Sequence, residues 1–368
     1  MSCIARSALS ASIILLLPLL GGCVCINSVP ETPGNTPIES QVDEVRIRST
    51  TPATSYVVVL DESIIATGSL GFSNLDAQSP NSPDLAYQLA SVSKLFTAQA
   101  IMQLTHREDF SLDDPVSRWI PDLTDSPVSI RQFLTHTSGL RDKSHANHRG
   151  TQAEIEAEIR KIARSLPENA HPYDWNYSDA SFNLLGAIIE RVSGTPYPEY
   201  LREHIFIPLG MQSSNAAPNT SAPSPKYYTP CLLGGIKPIE HPYDGAFAPS
   251  SGVQSSANDI ARWMIAVLKR DPLTGLEPDE WAAMWKTQTQ TGWYGIDQGL
   301  AWQLEKNLDT RRLRHAGQEH GVASLLTLYP DFNAGIFIVG NSDSLARFEI
   351  RTLLEQAYLP MHQNNPMP

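Results

Sequence analysis

The order of hydrophobic patterns along the chain is the feature that most restricts its fold. Runs typical of β-strands stand near both ends, at 57–60, 64–66, 323–329 and 335–339. Between them, apolar residues recur at helical spacing over 95–104 and 184–192, and a last helix is predicted from Leu345 to Tyr358. This order predicts an α+β fold, an α/β sandwich whose antiparallel sheet is built from both chain ends around an inserted all-helical subdomain.

The N-terminus carries a targeting signal. An apolar run at 13–20 follows Arg6 and is too short to span a bilayer, which needs about 20 apolar residues. This pattern is typical of a secretory signal peptide, predicted here over residues 1–22. The sequence Leu20-Gly21-Gly22-Cys23 resembles the lipobox of bacterial lipoproteins, which implies cleavage before Cys23 and acylation of its thiol. Simple secretion with an unmodified Cys23 is the alternative.

A lipid on Cys23 implies attachment of the protein to a membrane of the cell envelope. Val24 provides no retention signal of the Asp type, so we predict the periplasmic face of the outer membrane. Residues 23–45 are polar and contain prolines, which favours a flexible tether. One folded domain is predicted over 46–360, with its helical insert at roughly 100–250, followed by a tail at 361–368.

Charge and cysteine content exclude several classes of protein. The chain has 27 Lys+Arg against 39 Asp+Glu and a formal charge of −12, so it offers no basic surface for nucleic acid. Four cysteines in 368 residues are too few for a disulfide-dense scaffold. Signal cleavage and lipidation would leave Cys25 and Cys231, which are free to form a bridge in an oxidising compartment, although the sequence provides no distance between them.

Ser91-Val92-Ser93-Lys94 opens the first strongly helical segment and is the first candidate for chemistry. Residues three apart share one face of a helix, so Ser91 and Lys94 can meet. A hydroxyl is a weak nucleophile until a neighbour accepts its proton, and burial can lower the pKa of a lysine enough for this task. Taken alone, the pattern fits a helix-capping serine and a surface lysine equally well.

Two further motifs change this balance. Tyr177-Ser178-Asp179 and His315-Ala316-Gly317 follow in the order and at the spacing seen in serine β-lactamases and penicillin-binding proteins. The chain resembles the branch of that superfamily that contains class C β-lactamases, D,D-peptidases and related esterases. The resemblance runs from about residue 46 to 360 and implies the β-lactamase/transpeptidase-like fold.

The resemblance implies a role for each motif residue. Ser91 would attack a carbonyl and form an acyl-enzyme, and Lys94 would take its proton together with Tyr177, whose phenol needs a lowered pKa to act as a base. Backbone N–H groups of Ser91 and Gln318 would form the oxyanion hole. Three positions are implied to bind the substrate: Asp179, His315 and Gly317. The absent side chain of Gly317 would let the substrate lie close to the strand.

Two positions depart from the family pattern. Asp179 replaces the usual Asn, and an ionised carboxylate can only accept hydrogen bonds, so it could hold Lys94 protonated. His315 replaces the lysine that pairs with a substrate carboxylate, and a histidine is mostly neutral at pH 7 unless an acid such as Glu319 lies close. Asp179 would also weaken recognition of an acylamide side chain. His315 argues against efficient turnover of β-lactams but does not choose among the other substrates, because some D,D-peptidases and esterases of the same branch also carry a histidine.

The sequence thus predicts a serine hydrolase that cleaves an amide, peptide or ester bond in a small molecule or peptide. Cell-wall-derived D-amino-acid peptides and small esters precede β-lactams among the candidate substrates. The alternative is a non-catalytic envelope lipoprotein that retains the penicillin-recognising fold for ligand binding.

No cofactor or metal is predicted. His145 and His148 lack the adjacent glutamate of a zinc motif and are interpreted as loop residues, and His136 as a residue that packs or hydrogen-bonds in its loop. Three aromatic residues are predicted either to line a cleft or to pack in the core: Trp293, Tyr294 and Trp302.

Overall fold

A nine-stranded antiparallel sheet forms the centre of the protein. The computed structural model describes residues 25–32, 34–123, 128–140, 157, 174–217, 224–232, 234–240, 245–306 and 310–360. In spatial order the strands are β3 (Ser79–Pro80), β2 (Ser63–Asn74), β1 (Ala53–Leu60), β13 (Ala334–Gly340), β12 (Val322–Tyr329), β11 (Arg312–Glu319), β10 (Gln303–Glu305), β9 (Ile296–Gln298) and β8 (Thr289–Gln290). Because β1 lies directly beside β13, the two ends of the chain meet in the middle of the sheet, which confirms the predicted architecture.

Two hairpins of this sheet were predicted from sequence. β1 and β2 are joined by Asp61 and Glu62, whose φ angles of 45° and 67° are those of a two-residue hairpin turn. β12 and β13 are joined through the short turn Pro330–Phe332 and Asn333 at φ 48°. Strands β12 and β13 are buried over their whole lengths, because helices cover both faces of the sheet.

Short strand pairs and helices complete the fold. β4 (Tyr87–Gln88) pairs with β7 (Gln254–Ser255), and β5 (Tyr227–Pro230) pairs with β6 (Ile236–Ile239). The helices are α1 (Pro37–Arg48), α2 (Ser93–Leu104), α3 (Ile130–Leu134), α4 (Asp179–Ser193), α5 (Tyr197–Leu201), α6 (Ala257–Lys269), α7 (Pro278–Met284) and α8 (Ala346–Tyr358). In the described part of the chain, no helix is long and apolar enough to span a membrane.

The helices divide the hydrophobic core into two layers. α1 and α8 contact each other and cover one face of the sheet, where Val42, Tyr56 and Ile350 belong to one apolar cluster. α6 lies on the opposite face against β1 and β13, and the larger cluster continues from there into α2 and α4. Since α2 is buried along almost its entire length, its first turn is held firmly between the sheet and the other helices.

The structure differs from the predicted tether at 23–45, because α1 begins within it. Thr36 and Glu39 form a reciprocal capping box at its first turn, in which the Thr36 hydroxyl accepts the Glu39 N–H and the Glu39 carboxylate accepts the Thr36 N–H. Val42 is fully buried against the sheet layer. A helix with so few apolar residues leaves a weak periodic signal, which is why its polar composition suggested an irregular segment.

The segment before α1 is fastened to the folded domain by a disulfide. Cys25 and Cys231 are bonded, with their Cα atoms 6.4 Å apart. Next to the bridge, Ile26 and Ile236 exchange backbone hydrogen bonds of 2.6 and 2.8 Å, so this segment extends the β5–β6 hairpin. The structure thereby answers the question that the sequence left open about these two thiols.

Candidate active site

Ser91 lies in a tight helical turn, Ala90–Val92, that leads directly into α2. Ala90 adopts φ 47°, a left-handed conformation that costs free energy for a residue with a Cβ atom. The turn is held from outside, because the Leu89 N–H donates to the Val253 carbonyl at 2.8 Å. Ser91 itself is buried, and its N–H belongs to the first turn of a helix, where such groups have no intrahelical acceptor.

Lys94 lies one turn further along, with no exposed side-chain surface. Its Nζ atom is 3.3 Å from Ser91 Oγ and donates to the Ser250 carbonyl at 2.9 Å. It also forms an ion pair and hydrogen bond with the Asp179 carboxylate at the first turn of α4. The structure therefore brings the first and second sequence motifs into direct contact.

The Asp179 carboxylate decides the charge of this lysine. Burial alone would lower the pKa of Lys94, but the adjacent carboxylate of Asp179, together with Tyr177, outweighs burial and raises that pKa above its ordinary value. Lys94 is therefore an ammonium group in the resting protein.

Tyr177 stands just before α4, with its ring centroid 4.9 Å from Lys94 Nζ. Burial raises the pKa of its phenol to about 12, and the nearby Lys94 ammonium and Ser91 hydroxyl compensate only in part. This differs from the lowered pKa that the sequence argument required for a tyrosine base. The physical reason is that burial of the phenol is the largest effect, and the Asp179 carboxylate raises the pKa of Tyr177 further.

His315 is fully buried on β11, with its ring centroid 6.4 Å from that of Tyr177. Burial, with a further contribution from the Lys94 charge, lowers the pKa of His315 to about 3. Its Nδ1 atom is 3.1 Å from the Ala316 carbonyl, which identifies Nδ1 as the protonated ring nitrogen. This position therefore carries no positive charge at neutral pH.

Gly317 has a different reason for lacking a side chain than the one predicted. A Cβ atom there would overlap the Leu89 carbonyl and Ser324 Oγ, and it would crowd Ala90. Ser324 Oγ itself donates to the Leu89 carbonyl at 2.5 Å. The glycine thus lets β11 pack directly against the turn that carries Ser91.

Gln318 presents its backbone on the same strand, while its exposed side chain accepts a hydrogen bond of 3.0 Å from Arg347. β10 pairs with β11 only over Arg312–Arg314, and β12 covers the other edge as far as Glu319. In the described chain, the edge of β11 beyond Arg314 therefore has no partner strand. Such an edge can accept an extended substrate beside Ser91.

Aromatic rings surround the phenol. Trp293 is 45% exposed and its ring is stacked with Tyr177 at a centroid distance of 6.3 Å, while Trp175 meets Trp293 edge-on at 4.8 Å. Tyr294 next to them is almost fully exposed. Trp302 is fully buried, so it packs in the core and does not line a cleft.

Sequence reasoning missed two contributors to the site. His136, interpreted as a residue that packs or hydrogen-bonds in its loop, is fully buried and stacks on Tyr177 at a centroid distance of 4.4 Å. Ser250 contributes only its backbone carbonyl to Lys94. Ser250 has no recognisable signature, since a backbone acceptor is independent of side-chain identity. His136 lies in the segment 134–140, which resembles a helical-domain signature of the branch, but its contact with Tyr177 arises only through the tertiary fold.

Several predicted features lie outside the described residues, namely the signal peptide, Cys23, the tail, His145 and His148. Within the described residues, no group of three or more His, Cys, Asp or Glu side chains is arranged to hold a metal ion.

An antiparallel sheet covered by helices, with a serine and a buried lysine at the start of the central helix, defines the class of β-lactamase and penicillin-binding-protein folds. The comparison with known families agrees. The chain belongs to the family described as Beta-lactamase, whose model matches residues 38–358.

Curated relatives include penicillin-binding protein 4* of Bacillus subtilis (strain 168), 25% identical over 324 residues, which cover 82% of this chain and 70% of that protein. D-alanyl-D-alanine-carboxypeptidase/endopeptidase AmpH of Escherichia coli (strain K12) is 27% identical over 289 residues, or 72% of this chain and 73% of the relative. Protein flp of Staphylococcus aureus (strain MW2) is 22% identical over 317 residues, and the chain spans only 60% of its length. These relatives support a hydrolase of the serine type.

Solved structures agree in fold. An octameric penicillin-binding protein homologue from Pyrococcus abyssi aligns with a TM-score of 0.76 at 24% identity over 88% of this chain and 76% of the other. A class C beta lactamase from Rhodobacter sphaeroides aligns with a TM-score of 0.74 at 19% identity over 88% of this chain and 99% of the other. At these identities the likeness concerns the fold alone.

Proposed function

We propose that the protein is a serine hydrolase that cleaves an ester or amide bond through an acyl-enzyme at Ser91. One observation carries this proposal: Ser91 Oγ lies 3.3 Å from the buried Lys94 Nζ, with the Tyr177 ring beside that same nitrogen. A hydroxyl in contact with a desolvated amine and a phenol is an arrangement suited to nucleophilic catalysis.

The proposed reaction begins with loss of the extra proton from Lys94. Its neutral amine accepts the Ser91 proton as Oγ attacks the carbonyl carbon, and the N–H groups of Ser91 and Gln318 stabilise the oxyanion. The leaving group departs with a proton relayed by Tyr177, which leaves Ser91 acylated. A water molecule, deprotonated by the same Lys94–Tyr177 pair, then attacks the acyl carbon, releases the acid and restores the serine.

The charges of the site support substrates without a carboxylate next to the scissile bond. His315 is uncharged and Asp179 is acidic, so neither attracts an anionic group. The exposed Trp293 ring beside Tyr177 offers an apolar surface. We therefore propose neutral esters as the first substrate class, D-amino-acid peptides as the second and β-lactams as the third.

A substrate panel tests this proposal. Wild type and Ser91→Ala are assayed with a short-chain nitrophenyl ester, a D-Ala-D-Ala peptide and a chromogenic cephalosporin, and labelled with a fluorophosphonate. We expect ester turnover and labelling in the wild type, and neither in Ser91→Ala. Labelling that survives in Ser91→Ala would exclude Ser91 as the nucleophile.

A non-catalytic binding protein is the second candidate, and the ion pair that holds Lys94 protonated favours it. In that case the wild type turns over no member of the panel at any pH from 6 to 10, while a ligand still raises its melting temperature. Turnover that depends on both Ser91 and Tyr177 eliminates this candidate.

We further propose that the protein is a lipoprotein of the cell envelope, attached through Cys23. The Cys25–Cys231 disulfide supports an oxidising compartment outside the cytoplasm. Metabolic labelling with a palmitate analogue should mark the wild type and spare Cys23→Ser, and membrane fractionation should place the protein with the outer membrane. Labelling retained in Cys23→Ser, or recovery with the inner membrane, contradicts the corresponding part of this proposal.

A further inference from the structure

The loop that follows α3 contacts the segment that carries Tyr177. The His136 carbonyl accepts the N–H of Asn176 at 2.8 Å, and His136 Nδ1 accepts the N–H of Ser178 at 3.1 Å. Between these two hydrogen bonds, the His136 ring stacks on Tyr177, with the planes inclined by 27°. One histidine thus contacts three consecutive residues, of which Tyr177 and Ser178 belong to the second motif.

The backbone of His136 is shaped for this contact. Its φ angle of 57° is left-handed, an uncommon conformation for a residue with a side chain. The loop around it is fixed by further hydrogen bonds, from Asn176 Nδ2 to the Leu140 carbonyl at 3.1 Å and between the hydroxyls of Ser138 and Ser181 at 2.9 Å. The surroundings therefore maintain a strained conformation that presents Nδ1 and the ring to the tyrosine segment.

The hydrogen bond determines the protonation state of the ring. Since Nδ1 accepts the Ser178 N–H, the proton of the neutral imidazole is on Nε2, which is buried and has no hydrogen-bond partner among the residues that the structure describes. A doubly protonated ring could not accept that N–H and would place a cation near Lys94. Burial lowers the pKa of His136 well below its ordinary value, and the proximity of Lys94 and His315 adds to this effect.

We propose that His136 is a positioning residue for catalysis. As a neutral hydrogen-bond acceptor it fixes the Tyr177 segment, so that the phenol keeps its position relative to Ser91 and Lys94. The inference rests on the proposed function, because it gives Tyr177 a proton to transfer. It also goes further, since it assigns a catalytic consequence to a loop that contains none of the three motifs.

The experiment compares three substitutions in the full-length protein with the nitrophenyl ester as substrate. His136→Ala removes the ring and the acceptor, and His136→Phe keeps a ring without the acceptor. His136→Asn keeps an acceptor oxygen close to the position of Nδ1 and tolerates the left-handed backbone. We expect kcat to fall about 10²-fold in His136→Ala with little change in KM, because the reacting groups are displaced and binding is not. His136→Asn should recover about tenfold of that loss, the equivalent of one hydrogen bond, whereas His136→Phe should not.

A control separates positioning from loss of stability. Thr135→Val removes hydroxyl hydrogen bonds to Thr137 at 2.8 Å and to the Arg131 carbonyl at 2.9 Å, on the neighbouring residue of the same loop. It should lower the melting temperature and leave kcat unchanged. If Thr135→Val lowers kcat as much as His136→Ala, or if the alanine and asparagine variants are equally impaired, the proposal is overturned.

Two further readouts do not depend on structural integrity alone. The titratable groups near His136 are Lys94 from α2, Tyr177 from the second motif and His315 from β11. His136→Asn removes a buried imidazole whose pKa is lowered, so the free energy of unfolding should fall less between pH 7.5 and pH 5 than it does in the wild type. An unchanged fall contradicts the neutral-acceptor role.

The second readout is nuclear magnetic resonance of protein labelled with [¹³Cζ]tyrosine, in which Tyr177→Phe assigns one of the 12 tyrosine signals. We expect that signal to shift in His136→Ala and in His136→Phe, and less in His136→Asn. This measurement holds even for an inactive protein, so a failure of the proposed function is distinguishable from a failure of the positioning role. An unmoved Tyr177 signal in His136→Ala rules the role out.

Discussion

Lys94 and Asp179 form a buried ion pair in which a carboxylate occupies the position of the amide found in related enzymes. The pair fixes the charge state of the nearest candidate base to Ser91, because the ammonium is compensated inside the site and does not need to lose its proton. Tyr177 stays protonated because burial raises its pKa to about 12, and the Lys94 ammonium and the Ser91 hydroxyl lower that pKa only in part. A hydrolase built in this way should reach its full rate at a higher pH than one with an amide at residue 179.

The first prediction concerns the pH profile. Asp179 raises the pKa of Lys94, so kcat/KM of the wild type should increase towards alkaline pH as that lysine loses its proton. Asp179→Asn removes the carboxylate and should shift the midpoint of this rise about one to three pH units lower. The midpoint of the wild type lies above pH 10, so ester hydrolysis measured from pH 6 to 10 in both proteins tests the shift as a displacement of the rising limb.

A matched control is Asp259→Asn at the start of α6, where the carboxylate accepts hydrogen bonds from Ser213, Ser214 and Arg262 away from Lys94. Its pH profile should coincide with that of the wild type. A midpoint that does not move in Asp179→Asn would show that Lys94 is not the group whose ionisation controls the rate.

The second prediction concerns stability in acid. His315 has a pKa of about 3 in the folded protein against 6.5 for the unperturbed group, so between these values the unfolded chain binds a proton at His315 and the folded chain does not. The stabilisation that the neutral imidazole contributes is complete above pH 6.5 and is lost as the pH falls towards 3. The free energy of unfolding should therefore be about 2 kcal/mol lower at pH 5 than at neutral pH because of this histidine.

Urea unfolding at pH 7.5 and pH 5 measures this cost. His315→Gln should reduce the difference between the two conditions. His320→Gln serves as the control, because the side chain of His320 is 82% exposed, and it should leave the difference as in the wild type. Equal behaviour of the two variants would contradict the burial of a neutral His315.

The third prediction concerns Gly317. Gly317→Ala adds a Cβ atom that meets the Leu89 carbonyl, which cannot yield without moving the turn that carries Ser91. We expect kcat to fall about 10²-fold and the free energy of unfolding to fall by about 1–3 kcal/mol. Gly335→Ala on β13 provides the comparison, because its Cβ atom would crowd Met264 within the core. That variant should lose stability and keep its kcat; a similar loss of kcat in both would remove the special role of Gly317.

The fourth prediction concerns the disulfide. Replacing Cys25 or Cys231 with serine should lower the free energy of unfolding by about 2–5 kcal/mol, because the unfolded chain loses a cross-link over 206 residues. The double variant should lose no more than either single variant, since each already removes the whole bond. Calorimetric melting of the three variants and of the reduced wild type checks this, and additive losses would argue against the pairing.

Much of the fold could be predicted because its longest elements carry strong periodic patterns. β1, β12, β13, α2 and α4 bury mostly apolar residues, and they were located from sequence together with β2 and α8. α1 was missed because few of its residues are apolar, and β8 to β10 because each spans two or three residues, too few for a period to emerge.

The candidate site divides in a similar way. Ser91 and Lys94 are joined by helical spacing, which the sequence contains directly. The contacts of Lys94 with Asp179 and the Ser250 carbonyl span 85 and 156 residues, and no local pattern encodes such distances. The raised pKa of Tyr177 follows mainly from burial of its phenol, so it could not be derived before the fold was known.

The adjacency of β1 and β13 also bears on how this chain folds. β1 pairs along its length with strand residues 334–340, so the centre of the sheet closes a loop that includes most of the molecule. Contacts so distant in sequence have a large entropic cost of closure and make folding slow. A chain released gradually from a ribosome or a translocon keeps the apolar strand Ala53–Leu60 without its inner neighbour until almost the last residues have emerged. Chains that end before residue 334 should therefore retain an open, hydrophobic sheet edge and aggregate.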